Sequence, residues 1–444
     1  MARDKQQGYR AGRETQPGVF RVAAPSSVPR LWWYLAGAAA ALLCVTVVVL
    51  SVVLPGLQSG AEAPLAGARV LDVVPLIDGH NDLPWNLRTL AKDQLRNFSF
   101  DSDLSRDPVW NCSSCFTDLP RLRRGKVGGQ FWVAYVSCSS QYKDAVEQTL
   151  EQIDVIKRLV KAYPDDLQYA DSVQGVWDAF KAGKIASLIA IEGGHSIDSR
   201  LAVLRLMYEA GGRYLTLTHT CNTPWAAGSP VDAAVNNSEY TGLTEYGKIV
   251  VKELNRLGMM VDLSHVSKQT MVDAIGVSEA PVIFSHSSAW TLCNHHRNVQ
   301  DDVLGMLAKN NGIVMVNFYT EFVACNGTNA TLETVVEHIN HIRTVAGVDH
   351  VGIGSDYDGV NSVPAGLEDV SKYPDLFDRL ADARPGEPTW TAEDLKKLAG
   401  LNLLRVMADV EEVRDRLAAE GVQPYEDRVP AAALCNNTDC RTDL

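Results

Sequence analysis

Residues 76–85, LIDGHNDLPW, contain the pattern around which the rest of the chain can be interpreted. Two apolar residues and an aspartate indicate the end of a short buried strand, and Gly79 then opens a loop that presents His80 and Asp82. In extended chain, residues two apart face the same side, so the imidazole and the carboxylate point together. Such a pair predicts half of a metal site. Taken alone, it is equally compatible with a structural histidine.

Apolar runs of β type continue after this first strand, and amphipathic helical patterns separate most of them. The predicted strands are 76–78, 130–136, 187–192, 214–218, 259–262, 282–285, 313–317 and 351–354. The predicted helices include 144–162, 200–210, 244–257, 267–276, 301–309, 331–346 and 392–413. Strands that alternate with helices indicate parallel βαβ units of the α/β class. Eight strands predict a (β/α)8 TIM-type barrel, with a doubly wound open sheet as the alternative.

Histidines or acidic residues follow six of these eight predicted strands. In chain order they are His80 and Asp82, Glu192 and His195, His219, His265, His286, and Asp356 and Asp358. In a barrel of this type, chemistry collects at the carboxyl ends of the strands. Scattered placement of 10 histidines would rarely give this pattern. We therefore favour one shared site over separate structural roles.

Three histidines and two carboxylates at one barrel mouth are too many ligands for a single tetrahedral zinc ion with an open position. They suit two metal ions, with one carboxylate bridging them and a water between. Such a pair lowers the pKa of the water and polarises a carbonyl, which is what hydrolysis of an amide requires. A further carboxylate could carry the proton to the leaving amine. Imidazole-rich ligation favours zinc over magnesium or calcium.

The N-terminal region predicts a membrane anchor. Residues 31–54 carry no charge and exceed the roughly 20 residues that cross a bilayer. In residues 1–30, six basic residues outnumber two acidic ones, so the positive-inside rule makes them a cytoplasmic tail. A cleaved signal peptide with a site at residues 61–63 is the alternative, but the apolar run is longer than the usual h-region. We expect a type II anchor in the plasma membrane, a stalk over 55–70, an extracellular barrel over 71–413 and a tail over 414–444.

Charge and cysteine usage agree with an extracellular protein that binds no nucleic acid. The formal net charge is -13, and no basic stripe compensates for it. Of nine cysteines, only Cys44 lies in the predicted span, which leaves an even set for disulfides. Cys112 and Cys115 could form half of a zinc knuckle, although a disulfide is the favoured use. Glycosylation sequons occur at Asn97, Asn111, Asn236, Asn326, Asn329 and Asn436.

Several long motifs resemble the zinc-dependent membrane dipeptidase (renal dipeptidase) family. They are IDGHNDLPW, VGGQFW, IEGGHSID, RYLTLTHTCNTPW, KELNRLGMMVDLSHVS, APVIFSHSSA, RNVQDDVL and GLEDVSKYPDL. The resemblance covers residues 74–407 and implies a metallo-dependent hydrolase barrel with two zinc ions per chain. It also implies substrates such as cysteinyl-glycine-type dipeptides, leukotriene D4-like conjugates and β-lactams, which the sequence does not rank.

Position by position, the resemblance implies a role for each residue of the site. One zinc would be bound by His80 and Asp82, the other by His265 and His286, and Glu192 would bridge them. The implied substrate contacts are His219 near the scissile bond, Arg297 on the substrate carboxylate, and Asp356 on the proton or the free amine. Every one of these positions keeps the family residue, which argues against an inactive chain.

The resemblance also implies two disulfides, Cys138–Cys221 and Cys293–Cys325, and an interchain bond through Cys440 in a homodimer. Two features depart from the family. Mammalian relatives are typically GPI-anchored, whereas this chain has a predicted N-terminal span and no apolar C-terminal tail. Cys112, Cys115 and Cys435 are not family features, so Cys435 is an alternative for the interchain bond.

Taken together, the sequence predicts a membrane-bound dipeptidase that cleaves dipeptides with a free C-terminal carboxylate through a binuclear zinc-activated hydroxide. Another metal-dependent amidohydrolase or deaminase is one alternative, but it would typically show His-x-His on the first strand and a lysine on the fourth. A receptor or adhesion ectodomain on the same scaffold is the other. Loss of a ligand would have favoured it, and none is lost.

Overall fold

The computed structural model describes residues 30–48, 66–233, 241–325 and 329–434. The chain divides into two compact units, Met1–Pro64 and Leu65–Leu444. In the first, a helix runs over Arg30–Val48 and covers the beginning of the predicted span, while residues 49–54 lie outside the described residues. Among the helices of the described part, none combines the length and apolarity needed to cross a membrane.

The second unit is built on nine parallel strands. They are β1 Leu76–Asn81, β2 Val127–Tyr135, β3 Leu167–Tyr169, β4 Ile185–Glu192, β5 Gly212–Thr216, β6 Met260–Asp262, β7 Ile283–Phe284, β8 Ile313–Val316 and β9 Val351–Ile353. The strand order is β2-β1-β9-β8-β7-β6-β5-β4, and a further pairing of β2 with β4 closes the ring. This closure confirms the predicted eight-stranded (β/α)8 barrel and rules out the doubly wound open sheet.

The strands are buried on both faces, which explains their continuous apolar sequences. Every residue of β4 is buried. Its alternate residues Ala186, Leu188 and Ala190 pack with Phe131 of β2 in one hydrophobic cluster. The residues between them, including Ile189, pack in the cluster shared with the surrounding helices. The period of two along the strand thus separates the barrel interior from the layer between sheet and helices.

The sequence did not reveal strand β3. It pairs with the first half of β4, where Leu167 lies opposite Ile185, whereas the second half of β4 pairs with β5. β3 therefore pairs with β4 on the same edge as β5, but nearer the start of β4, and it is not one of the eight strands of the ring. A strand of three residues is too short to show a period of two, which is why the pattern missed it.

Helices surround the barrel. The longer ones are Leu83–Ala91, Ala145–Ala162, Val173–Lys181, Leu201–Glu209, Glu245–Leu257, Lys268–Val277, Asp301–Asn310, Leu332–Ala346, Tyr373–Ala381 and Asn402–Ala419, and the shorter ones are Leu119–Arg124, Pro230–Ala233, Thr320–Val323 and Ala392–Lys396. Two predicted starts, Thr244 and Ser267, are N-caps whose side chains accept hydrogen bonds from the first turn. The predicted helices therefore begin one residue early at these positions.

The predicted helix over 392–413 is divided by a π-helical turn at Lys397–Leu401. At Gly400, a Cβ atom would lie 2.4 Å from the carbonyl oxygen of Pro75, immediately before β1. The chain therefore needs glycine where this turn passes under the barrel. The final helix then ends at Ala419, beyond the predicted barrel boundary at residue 413.

Three disulfides occur among the described residues. Cys138–Cys221 and Cys293–Cys325 are the two pairings that the resemblance implied. Cys112 bonds to Cys115, so these sulfurs are not a zinc knuckle. Cys435 and Cys440 lie outside the described residues, and the predicted interchain bond remains a prediction.

Candidate active site

Five polar side chains from the carboxyl ends of four strands converge at the barrel mouth. His80 and Asp82 come from β1, Glu192 ends β4, and His265 and His286 follow β6 and β7. Glu192 is central, since its Oε1 lies 3.6 Å from His80 Nε2, 3.0 Å from His265 Nε2 and 3.4 Å from His286 Nε2. All five side chains are buried. The structure thus brings together the residues that were expected to bind metal.

Two neighbouring atoms of this cluster fit a cation between them. His80 Nε2 and Asp82 Oδ1 are buried and form no hydrogen bond with any described residue. His80 Nε2 lies 3.2 Å from Asp82 Oδ2 and also close to Glu192. Buried polar atoms nearly always have a partner, so such a group of acceptors is costly without one. A metal ion satisfies them together, and imidazole with carboxylate is a zinc-binding donor set.

A hydrogen bond at Nδ1 fixes which ring nitrogen of His80 carries the proton. Its Nδ1 lies 2.9 Å from the hydroxyl of Tyr214, which donates its own proton to the carbonyl of Gly79 over 3.0 Å. The hydroxyl must therefore accept from an Nδ1–H of His80. This leaves Nε2 with its lone pair facing Glu192 and Asp82, the form in which histidine binds a metal. The sequence analysis missed Tyr214, although it lies in a quoted motif, because its partner is remote in sequence.

His286 is held in the same way. Its Nδ1 lies 2.8 Å from Ser285 Oγ, and Ser285 donates to Asp262 Oδ2 over 2.6 Å. Asp262 also accepts from the hydroxyl of Thr216 and from two backbone N–H groups. Ser285 therefore accepts from an Nδ1–H of His286, so that the lone pair of Nε2 faces the centre, where it lies 2.9 Å from His265 Nε2. Asp262 therefore supports His286 through Ser285.

Two further aspartates support the loop that carries Asp356. Asp78 accepts hydrogen bonds from the backbone and hydroxyl of Ser355 and from the hydroxyl of Tyr373. Asp358 accepts from Thr117 Oγ1 over 2.6 Å, from the backbone of Phe116 and from Asn86. Both aspartates therefore hold the loop that carries Asp356 in position.

Backbone conformation at the mouth is unusual. His265, Asp356 and Asp358 have φ values of 68°, 67° and 68°, in the left-handed region that non-glycine residues rarely adopt. Asp356 Oδ1 lies 3.9 Å from His80 Nε2. Strain of this kind persists where the surroundings fix it and concentrates at functional sites.

Burial dominates the electrostatics of the cluster. It raises the pKa of Glu192 to about 8, against the opposing effect of His80. It also raises the pKa of Asp356 to about 7 and holds the pKa of Asp82 well above its usual value. The protein alone therefore disfavours three charged carboxylates here. Bound cations would supply the charge that stabilises their ionised forms.

Arg297 is a buried cation with unused donors. Its Nη2 donates to the carbonyl of His286 over 3.3 Å, whereas Nε and Nη1 have no hydrogen-bond partner among the described residues. The guanidinium carbon lies 5.2 Å from the ring centre of Phe322. Burial lowers the pKa of Arg297 to about 10, which leaves it charged at neutral pH. Its free donors are suited to an anionic group of a ligand.

His219 lies beside the cluster. Its ring centre lies 4.3 Å from that of His265 and 4.8 Å from that of Tyr135. Burial lowers the pKa of His219 to about 3, so the ring is neutral. Together with Glu192 and His265 it could also offer a metal ligand, because their donor atoms lie within 4.8 Å of one another.

The cluster opens into a cavity of about 640 Å³. Asp82, Glu192, His219, His265, Arg297 and Asp356 all line it. Aromatic side chains that the sequence analysis did not single out complete the wall, namely Trp85, Tyr135, Tyr319 and Phe322. Trp85 directly follows the motif that contains His80 and Asp82, and this adjacency could have identified it as a residue of the site.

The other histidines examined in the sequence lie outside the cluster. His195 Nε2 lies 2.9 Å from the carbonyl of Val136, and the nearby Cys138 and Cys221 are disulfide-bonded, so this group is not a metal site. His338 is buried with both ring nitrogens bonded, and His341 pairs with Asp301 over 2.8 Å. Both helix residues therefore have structural partners outside the metal-binding cluster.

His295 and His296 stack beside the cavity, 4.4 Å apart, and His295 also packs on the ring of Phe322. They lie next to Arg297, as the sequence suggested. Among the sequons, Asn97, Asn111 and Asn329 are exposed. Asn236, Asn326 and Asn436 lie outside the described residues.

Comparison with known proteins agrees with this site. Residues 66–421 match the sequence model of the membrane dipeptidase family, peptidase family M19. The structure is similar to that of dipeptidase AC, a metallopeptidase of family M19, with 26% identity, a TM-score of 0.66, and coverage of 76% of this chain and 98% of that chain. It is also similar to a metallopeptidase from Rhodobacter sphaeroides liganded with a phosphinate mimic of the dipeptide L-Ala-D-Ala, with 25% identity, a TM-score of 0.64, and coverage of 76% and 99%. The probable dipeptidase PvdM from Pseudomonas aeruginosa, 19% identical with a TM-score of 0.66 and coverage of 78% and 98%, shares the fold.

Proposed function

We propose a reaction for this chain from one premise: the chain belongs to the membrane dipeptidase family, peptidase family M19, and is a metal-dependent dipeptidase. Beyond that premise, it hydrolyses the peptide bond of dipeptides with a free C-terminal carboxylate at a binuclear zinc centre. One observation carries the proposal. Asp82, Glu192 and His265 of the metal-binding cluster line the same cavity as Arg297, whose Nε and Nη1 have no hydrogen-bond partner among the described residues.

The metal-binding part of the proposal follows from the positions of the donors. His80 and Asp82 hold one zinc ion, His265 and His286 hold the other, and Glu192 lies between the two sets. The support is that Glu192 Oε1 lies within 3.6 Å of the Nε2 atom of each histidine. Two bound zinc ions supply a water that is deprotonated at neutral pH and Lewis-acid polarisation of a carbonyl.

Arg297 binds the C-terminal carboxylate of the substrate in this proposal. Its guanidinium is buried and two of its nitrogens have no partner in the described part of the chain. A carboxylate offers two acceptors that match the guanidinium fork and compensates for its buried charge. Since the fork and the metal-binding cluster are fixed relative to each other, the scissile bond must lie one residue before the carboxylate. This arrangement selects dipeptides over longer peptides.

Asp356 and His219 act on the reacting groups. Asp356 Oδ1 is buried and faces the cluster at 3.9 Å from His80 Nε2, where it can take a proton and pass it to the leaving amine. The neutral ring of His219, between Tyr135 and His265, can donate a hydrogen bond to the substrate oxygen that gains charge.

The test uses the full chain purified in detergent. We expect about two zinc ions per chain by mass spectrometry, and chelator-sensitive hydrolysis of a free dipeptide. The same dipeptide with a blocked N-terminus and a C-terminal amide should resist cleavage, because the amide cannot use the Arg297 fork. Equal cleavage of both compounds would contradict the proposed binding of the substrate carboxylate by Arg297. A folded chain without zinc would contradict the proposed mechanism.

We also propose, from the sequence pattern of residues 31–54, a type II plasma-membrane protein with an extracellular barrel. Carbonate extraction of membranes and protease protection of an N-terminal tag test this placement. From the family resemblance we propose a homodimer linked through Cys440, with Cys435 as the alternative. Electrophoresis without reductant tests the link, and Cys440→Ser should abolish it if Cys440 is the residue used.

A further inference from the structure

Residues 112–117, here called the disulfide loop, lie at the rim of the active-site cavity. Cys112 and Cys115 are bonded, with their Cα atoms 5.2 Å apart. Cys112 and Ser114 line the cavity that also contains Glu192 and Arg297. Cys115 is buried in the hydrophobic core at 8% exposure, so one end of the loop is anchored while the other faces the cavity.

Hydrogen bonds fasten the disulfide loop beside the site. The carbonyl of Ser114 accepts from Asn86 Nδ2 over 2.7 Å, and Asn86 lies on the helix that begins after Asp82. The backbone N–H of Phe116 and the hydroxyl of Thr117 donate to Asp358 Oδ1 over 3.0 and 2.6 Å. The loop is therefore held against the ends of β1 and β9.

The disulfide loop and Arg297 line separate parts of the same cavity. The strand order β1-β9-β8-β7 places β8 and β9 between β1 and β7, and Arg297 follows β7. In the proposed function, a dipeptide whose carboxylate binds Arg297 places its scissile bond at the metal-binding cluster. Its N-terminal residue would then extend toward the part of the cavity next to β1 and β9. The N-terminal side chain then meets Trp85, Cys112 and Ser114.

We propose that the disulfide loop is a specificity-determining wall that limits the size of the N-terminal side chain of the dipeptide; this inference rests on the proposed function. The cross-link spans only two intervening residues, so the cavity-facing sulfur and Ser114 cannot move back to admit a larger group. Small N-terminal side chains are accepted and aromatic ones are disfavoured. The loop acts on substrate choice and leaves the metal-binding residues unchanged.

The experiment compares the wild-type chain with Cys112→Ser/Cys115→Ser. We would measure kcat/KM for dipeptides with N-terminal Gly, Leu or Phe and a constant C-terminal Ala. Removal of the cross-link should raise the Phe-to-Gly ratio about tenfold, the scale on which an apolar pocket discriminates by size. A second series with constant N-terminal Ala and varied C-terminal residue should keep its ratios. Ser113→Ala, at an exposed position of the same loop, is the matched control.

Ser114→Leu tests the wall in the opposite direction and retains the disulfide. The larger side chain projects into the cavity, so the Phe-to-Gly ratio should fall about tenfold with zinc content unchanged. If the double variant does not fold, this variant decides the question alone. Unchanged ratios in the folded variants, or a change in the C-terminal series instead, would overturn the inference. A zinc-loaded wild-type chain that cleaves no dipeptide would overturn the proposed function as well, and this is seen before any variant is made.

Discussion

Two regions of the molecule bury histidines and treat the ring nitrogens differently. In the helix Leu332–Ala346, His338 Nδ1 accepts from the backbone of Ala289 and Nε2 donates to the carbonyl of Val323, both over 3.0 Å. At the barrel mouth, His80 Nε2 lies 3.2 Å from Asp82 Oδ2 and 3.6 Å from Glu192 Oε1 and forms no hydrogen bond with any described residue. Burial alone therefore does not identify a functional histidine. An unsatisfied nitrogen beside carboxylates does, because only a ligand compensates for it.

The backbone shows the same contrast. Away from the mouth, Lys92 and Asn311 adopt left-handed φ values where they end helices, a position that this conformation commonly occupies. At the mouth, His265 and Asp356 adopt it with no helix to end. Each such residue costs about 1 kcal/mol or more. The cost therefore accompanies a helix end at Lys92 and Asn311, whereas at the mouth no helix end explains it.

The strongest test removes the central member of the mouth. Glu192→Gln keeps the size of the side chain but loses the charge next to three histidines. We expect kcat to fall by at least about 1,000-fold, the upper range for loss of one electrostatic catalytic group, together with loss of zinc. Metal analysis and dipeptide assays would measure this. His338→Gln should keep its zinc, and a Glu192→Gln chain with normal zinc and activity would contradict the comparison.

The second test measures how stability depends on pH because of His338, which lies in the helices around the barrel. Burial lowers the pKa of His338 to about 4, from a usual value of 6.5. Below pH 6.5 the unfolded chain therefore binds a proton that the folded chain refuses, so stability is full above pH 6.5 and is lost as the pH falls toward 4. This loss amounts to about 3 kcal/mol. Urea unfolding with excess chelator should show a flatter pH dependence for His338→Gln than for the wild type, and equal slopes would exclude this role.

The third test separates charge from geometry at Arg297. Arg297→Lys keeps a cation but lacks the planar fork, so kcat/KM for a free dipeptide should fall about 100-fold, or by about 2.7 kcal/mol. Zinc content should stay normal because Arg297 is not in the metal-binding cluster. The wild type and Arg297→Lys should cleave an N-blocked, C-amidated dipeptide equally slowly. Retention of full activity in Arg297→Lys would show that the fork is not used.

The smallest expected effect concerns Tyr214, which positions the proposed metal ligand His80. Tyr214→Phe removes the hydroxyl that fixes the Nδ1 proton of His80. Loss of such a partner typically costs about 10- to 100-fold in metal affinity. Zinc competition with a chelator would measure it, and Tyr246→Phe, whose hydroxyl bonds to the carbonyl of Ser199 away from the site, is a matched control. Equal affinities in the two variants would show that Tyr214 does not position His80.

Much of the fold was predictable because its signals are local. The run that ends in Glu192 is apolar throughout, and a strand buried on both faces requires that. Thr244 and Ser267 marked helix starts because caps lie beside the helices they begin. The three residues of β3 were not predictable, since their pairing with β4 depends on tertiary packing. The π-helical turn was also hidden, because only the approach of Gly400 to Pro75 explains it.

The sequence by itself determined which side chains would meet. The carboxyl ends of parallel strands share one mouth, so residues following β1, β4, β6, β7 and β9 had to converge there. Only the tertiary structure decided their chemical state. The Tyr214 and Ser285 hydroxyls fix the ring protons of His80 and His286, and Cys112 and Ser114 of the disulfide loop line the cavity that contains Arg297. Tyr214 is remote in sequence from His80, whereas Ser285 is adjacent to His286. Both contacts depend on the direction and distance of side chains, which no periodic pattern encodes.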